Sequence, residues 1–171
     1  DFCLSRGLGD VYKRQILLFM LTILMGCNNS IKIEDEDNKN SSINFEGGLI
    51  MNQASSDPLG NVLEYPSGEA AVSSQINVWE PGFNSPWHYH PYTGVAYVIQ
   101  GELTVNYDTE TSIDDKNSEK NIITTQTYKA GEEAFLGVRD TWHLSQNLGD
   151  EDLIFIVTWI GEKDSPLAVI E

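Results

Sequence analysis

The chain of 171 residues carries 26 acidic against 10 basic side chains, a formal net charge of −16, so nucleic acid and anionic membrane surfaces are poor partners for it. Its cysteines, Cys3 and Cys27, both lie near the start, which excludes a disulfide or a catalytic thiol from any domain folded downstream. Such a domain must rely on its apolar core, and the length allows one of ordinary size.

The chain begins at Asp1 rather than Met, and DFCLSRGLGDVYKRQ (residues 1–15) resembles the read-through peptides that sequencing adapters leave on assembled sequences; it is expected to be foreign to the fold. Ile16 to Met25, ILLFMLTILM, is an unbroken apolar run, too short for a membrane span of about 20 residues but suited to a signal-peptide core. Leu24-Met25-Gly26-Cys27 then resembles a bacterial lipobox, in which the cysteine becomes the lipidated first residue of the mature protein. Residues 16–27 are thus expected to be a signal peptide ending at a lipidated Cys27, against the plainer reading of a buried cysteine. The lipobox implies an exported lipoprotein of the bacterial cell envelope that meets the membrane only through its lipid anchor. With Asp1, Arg6, Asp10, Lys13 and Arg14 removed, 7 basic and 24 acidic residues remain, a net charge of −17. Residues 28–45, opening with NNSIKIEDEDNKNSS, have almost no apolar content and read as a flexible acidic tether.

Residues 46–171 read as one all-β domain. Val72, Ser74, Ile76 and Val78 alternate with Ser73, Gln75, Asn77 and Trp79, the mark of a strand with two distinct faces. Val95 to Tyr107, Ile122 to Tyr128, Ala134 to Leu136 and Leu153 to Ile160 are further β-rich runs, divided by Pro81-Gly82, Ala130-Gly131 and Leu148-Gly149-Asp150. No window sustains a helical period, and many short strands with Gly-rich turns argue for a sandwich or barrel. Asp108 to Asn121, DTETSIDDKNSEKN, is expected to be a mobile, solvated hairpin loop.

The three histidines are the chemically informative residues. His88 and His90 are one residue apart, so on a strand their imidazoles project to the same side, close enough to share one metal ion. His143 follows a Gly-rich stretch and could lie beside the pair. Neutral imidazole suits iron, zinc, copper and nickel about equally. Histidines on a strand are also often merely structural or exposed, and that alternative stands at this point.

These stretches resemble the two motifs of the cupins. Gly82, His88, His90 and Gly101 fit the first motif, with Gly94 standing where a Glu is usual; Gly131, His143 and Asn147 fit the second, with Gly137 and Arg139 in place of the usual Pro and Gly and His143 one residue late. The resemblance covers about Asp57 to Glu171 and is nearest to the small bacterial cupins grouped with quercetin-dioxygenase-like proteins, down to Thr141-Trp142-His143 and Ser165 to Val169. It implies a single small jelly-roll β-barrel holding one divalent transition metal ion on His88, His90 and His143. Iron is the first candidate, with zinc, nickel, manganese and copper behind it.

The missing Glu is normally a fourth ligand. Three neutral imidazoles leave the ion its full charge, so an anionic oxygen ligand is expected at the open place, and Gly94→Glu is expected to keep the metal while weakening such ligands. Gly94, Gln100, Trp87 and Trp142 are expected to line the pocket, and Tyr89 and Tyr92 flank the ligands; plain packing is the alternative for each aromatic. The function implied is a dioxygenase acting on a small anionic or phenolic substrate. The alternatives are a non-catalytic small-molecule-binding module of the envelope and a zinc or nickel cupin of the isomerase type. A general base in the cavity would separate them, and Glu102, Glu132 and Glu133 are the candidates by proximity. A homodimer is the assembly left open.

Overall fold

Runs of alternating and β-branched residues become strands where a neighbour completes their hydrogen bonds. The computed structural model describes residues 47–171 and, upstream, the backbone of Lys32–Ile33 and Ile43–Asn44. The readings of residues 1–15, of the signal peptide and of Cys27 lie outside the described residues. Lys32–Ile33 (β1) and Ile43–Asn44 (β2) pair antiparallel within the stretch expected to be a tether.

The second unit, Leu49–Glu171, holds the remaining strands. They are β3 (Ala70–Trp79), β4 (His88–Tyr89), β5 (Gly94–Gln100), β6 (Glu102–Asp108), β7 (Thr124–Lys129), β8 (Phe135–Leu136), β9 (Trp142–Gln146), β10 (Leu153–Glu162) and β11 (Val169–Ile170). They form two antiparallel sheets, ordered β3-β10-β5-β8 and β11-β4-β9-β6-β7, and no helix occurs among the described residues. Apart from the β6–β7 hairpin, each strand lies in the other sheet from the one before it, which is the jelly-roll pattern expected from the sequence. Between the sheets Val98, Leu103, Val105, Leu153, Phe155 and Val157 form the apolar core.

Two features differ from a simple reading of the sequence. The continuous run Val95 to Tyr107 is two strands in different sheets, β5 and β6, turned at Gly101. There φ is 77°, and a Cβ would come within 3.2 Å of the Leu153 Cα and 3.3 Å of the Asp152 carbonyl oxygen, so only glycine makes this corner. In β3 the aliphatic face is the outer one: Val72, Ile76 and Val78 are 68%, 61% and 61% exposed, while Gln75, Asn77 and Trp79 turn inward.

The insertion after β6 also departs from the mobile loop expected. Asp108 is buried, and its Oδ1 accepts from the backbone N–H groups of Glu110 and Thr111, both at 2.9 Å. Its Oδ2 accepts from the Thr111 hydroxyl at 2.8 Å and from the N–H of Asn121 at 2.9 Å, so one carboxylate clamps both ends of the loop. Lys120 lies with its ammonium 4.6 Å from the Trp142 ring centroid, and the Trp142 indole donates to the Ser112 carbonyl at 3.1 Å. The polar composition reports that the loop has no core of its own. It does not report that the loop is fastened to the barrel.

Burial alone would raise the Asp108 carboxyl, but its four donors hold it below its usual value. A depressed carboxyl contributes stability that is present above the unfolded-state value near 4 and is lost as the pH falls through the folded-state value. Asp108→Ala strands several buried donors and is expected to cost about 3 kcal/mol at pH 7 in chemical denaturation. The gap between wild type and variant should narrow as the pH is lowered below about 4; a gap that stays constant there would show that the carboxylate charge is not what clamps the loop.

Candidate metal centre

Strand register brings the histidines together. β9 pairs with β4 so that His143 stands directly opposite His88, and His90 follows on the same side two residues after His88. The ring centroids are 4.3 Å apart for His88 and His143, 5.0 Å for His88 and His90, and 5.1 Å for His90 and His143. One ligand atom from each lies within 4.8 Å of the others, a span that one ion can bridge.

Each ring is oriented by a backbone carbonyl. His88 Nδ1 lies 2.8 Å from the Pro86 oxygen and His143 Nδ1 2.8 Å from the Thr141 oxygen, in both cases the carbonyl two residues back. His90 reaches across the fold, its Nδ1 2.7 Å from the oxygen of Leu167 in the C-terminal segment. A carbonyl only accepts, so each Nδ1 carries the proton and each Nε2 keeps its lone pair for a metal. Burial lowers all three pKa values: His90 falls to about 4, His88 is lowered, and His143, the most buried, goes well below the imidazole range. The Pro86, Leu167 and Thr141 carbonyls pull the other way without offsetting the burial. Neutral rings with free Nε2 atoms are the state that a divalent transition ion requires, so the donor set fits one.

The cluster opens on a cavity of about 300 Å³ between the two sheets. Its wall is mainly apolar, and no Asp, Glu, Lys or Arg side chain contributes to it. Glu102, Glu132 and Glu133 are therefore not placed as bases. Glu102 pairs with Lys129 at 2.7 Å on the surface, the Glu132 carboxylate accepts from the Lys129 N–H, and Glu133 is exposed. Tyr107 does line the cavity, but burial pushes its phenol well above the usual range, so it stays protonated and acts as a hydrogen-bonding group rather than a base.

Of the four residues expected to line the pocket, Gly94 does so and three sit elsewhere. Trp87 and Trp142 directly precede His88 and His143, and successive strand residues point to opposite faces, so imidazoles that face inward send these indoles outward. Trp142 is fully buried beneath the insertion, against Tyr89 at a centroid distance of 5.0 Å. Tyr92 lies against Gly161 near the end of β10, and its hydroxyl donates to that of Ser165. Gln100 has the parity of Gly94, but a register shift between Ile154 and Phe155 on the partner strand breaks that parity, and its amide donates to the Asp152 carbonyl at 2.9 Å.

Gly94 also resists the simplest substitution. A Cβ there would stand 2.9 Å from the Val157 Cγ2 and 3.1 Å from the Trp159 Cδ1, so Gly94→Glu must displace the opposite strand's side chains before its carboxylate can reach the histidines. The residues that the sequence did not single out are Gln75, Asn77 and Trp159 in the cavity wall and the Leu167 carbonyl. For Trp159 a signal was available: it shares the strand parity of Phe155 and Val157, the buried side of β10.

Residues 76–159 match a family model described as a cupin domain. This stretch is a cupin domain. No curated protein matches the chain. Among solved structures it is similar to the DMSP lyase DddQ from Ruegeria pomeroyi DSS-3, at 14% identity over 58% of this chain and 42% of that one, with a TM-score of 0.43. It is also similar to L-ribose isomerase from Cellulomonas parahominis, at 16% identity over 56% and 51% of the two chains, with a TM-score of 0.45. A third is oxalate decarboxylase from Lactobacillus farciminis, at 23% identity over 58% and 26%, with a TM-score of 0.43. The similarity thus spans about half or less of each of those chains. The cupin domain and the three-histidine cluster together support a metal-binding cupin that takes a divalent ion.

The protonation state can be read directly. Long-range nitrogen–proton correlation spectra of metal-free protein at pH 7 are expected to show all three histidines as neutral Nδ1–H tautomers. Because burial depresses these values in the folded chain only, the unfolded chain binds more protons below pH 6.5, and metal-free protein should lose stability as the pH falls from about 6.5 towards about 4. A cluster that protonates near pH 6.5 without loss of stability would contradict the buried, neutral site.

Proposed function

We propose that His88, His90 and His143 hold one divalent transition ion, iron first among candidates, and that the site is that of a small oxygenase acting on a compact anionic or phenolic compound. The observation that carries this reading is the cavity's composition: three neutral, carbonyl-oriented imidazoles at one end of a mainly apolar chamber with no carboxylate in its wall. Iron bound there supplies the means of transferring electrons to dioxygen. The chain's own part would be to present the nitrogens of His88, His90 and His143 to the ion and to keep water away with Val157, Phe155 and Leu167.

Chemistry that moves a proton between substrate atoms needs a base, and none of the cavity's groups is suited to that role. This disfavours the isomerase reading. It favours a ligand that arrives as an anion or carries an acidic hydroxyl, such as a phenol or an enol. The second reading, a module that binds such a compound without turnover, rests on the same missing base. Metal-loaded protein supplied with phenols, diketones and carboxylates should consume dioxygen with at least one of them if it is an oxygenase, and bind without consumption if it is a binding module.

Alanine at His88, His90 or His143 is expected to reduce bound metal to well under one equivalent. An ion that binds only the folded state at about a hundredfold excess over its Kd stabilises by about 2.7 kcal/mol, so wild type should melt higher with metal and each variant should not. Full occupancy in His143→Ala would remove that residue from the site.

For the full-length chain the proposal includes lipidation of Cys27 and attachment to the bacterial envelope, supported by the apolar run that ends at Gly26-Cys27. A Cys27→Ala precursor is expected to lose acylation and move to the aqueous phase in detergent partitioning. Unchanged partitioning would refute it.

A further inference from the structure

We propose that Trp159 determines which ligands the site accepts, its indole N–H donating a hydrogen bond to the oxygen anion of a ligand bound beside His90. The proposal rests on the reading of the three histidines as metal ligands. Trp159 lies in β10 directly opposite Gly94 in β5, and the absent side chain at position 94 leaves its indole room to lie in the cavity wall. The ring is buried at 6% exposure, with its centroid 5.4 Å from that of His90. Its Nε1 stands 3.2 Å from where a Cβ on Gly94 would be, so the N–H belongs to the space that a side chain at 94 would enter.

Polar groups this deep are normally satisfied. Among the described residues the Trp159 N–H has no acceptor, and the only unpartnered side-chain polar atom fully enclosed by protein is the Tyr128 hydroxyl. The Trp159 N–H is therefore open to the cavity. The Nδ1 atoms of the three histidines are all engaged by carbonyls and the Gln75 amide donates to Asn77, so the indole is a free donor in contact with the histidine cluster. The Tyr107 phenol, its ring 5.8 Å from that of His143, is the other donor to be tested. The other tryptophan in the wall, Trp79, stacks on Phe83 and meets Phe155 edge to face rather than a histidine ring.

A donor-only group beside an ion that carries its full charge selects an acceptor, and an anionic oxygen satisfies both at once. With no cationic side chain in the wall, a second negative charge on the ligand would go unmatched. The ligand class is thus a single oxygen anion, phenolate, enolate or carboxylate, carried on an apolar body. Indole also holds no lone pair for the metal, so the ligand does not compete with Trp159 for the ion.

The test uses the protein reconstituted with cobalt(II), titrated with 4-nitrocatechol and with benzoate, and with imidazole as a neutral ligand. Trp159→Phe keeps an aromatic ring, though a smaller one, and removes the donor; the neutral ligand imidazole reports the effect of the lost bulk. It is expected to retain cobalt and to bind imidazole within about twofold of wild type, while both anions weaken by roughly tenfold or more, as for one hydrogen bond to a charged group. In zinc-loaded wild type, adding benzoate should move the Trp159 indole proton downfield, a measurement that needs no variant. Full cobalt binding with undiminished anion affinity in Trp159→Phe, or an indole proton that benzoate leaves in place, overturns the role of Trp159 alone. So does a loss of anion affinity in Tyr107→Phe with none in Trp159→Phe. Wild-type protein that takes up no cobalt overturns the metal reading and this inference with it.

Discussion

Three imidazoles can face one another in a mainly apolar cavity only if each is neutral and turned the right way, and here that depends on three hydrogen bonds from Nδ1 to backbone carbonyls. Backbone carbonyls are fixed by the strands that carry them, so ring orientation is inherited from the fold rather than from neighbouring side chains. Two of the carbonyls are local, at Pro86 and Thr141, and turn each ring by the conformation of its own strand entry. The third belongs to Leu167, at the far end of the chain, and makes the last segment of the barrel part of the site. Burial then lowers the pKa values, and the same burial that makes a charged imidazole costly makes the free Nε2 lone pairs available to a cation.

The cavity follows from how β3, β5 and β10 share their faces. β3 turns its amides and Trp79 inward and leaves Val72, Ile76 and Val78 outside, the reverse of what hydrophobicity alone would choose. Val157 and Trp159 of β10 fill the space across from Ala96 and Gly94, a pairing of large with small that closes the wall without filling the chamber. Gly94 is thus bound into packing as much as into chemistry. Its lack of a side chain leaves the indole of Trp159 room, and a Cβ restored there would collide with it.

The insertion after β6 shows how a polar segment can be ordered without a core. Asp108 supplies one buried carboxylate to four donors at the loop's two ends, and the adjoining Ser112 and Lys120 tie those ends to Trp142 of the barrel. Trp142 meets the insertion because His143 meets the cavity: neighbouring residues on a strand cannot share a face. One alternation therefore commits the imidazole to the site and the indole to the outer layer.

The sequence by itself was enough for the all-β class and for drawing attention to His88, His90 and His143, which the fold brings together, because turn residues, β-rich runs and histidine spacing are local properties that the chain writes in order; the resemblance to the cupin motifs narrowed the class to a jelly roll. The alternation rule could also have sent Trp87 and Trp142 away from the pocket and drawn Trp159 towards it, since all three follow from parity once the inward face is fixed by the histidines or by Phe155. What lay beyond reach were the facts that need two distant segments at once. The register shift that turns Gln100 outward is a property of β5 against β10, the corner at Gly101 is forced by Leu153, and the carbonyl that orients His90 comes from Leu167. Each is a contact between residues far apart along the chain, set by which strands become neighbours, and only the folded sheets decide that.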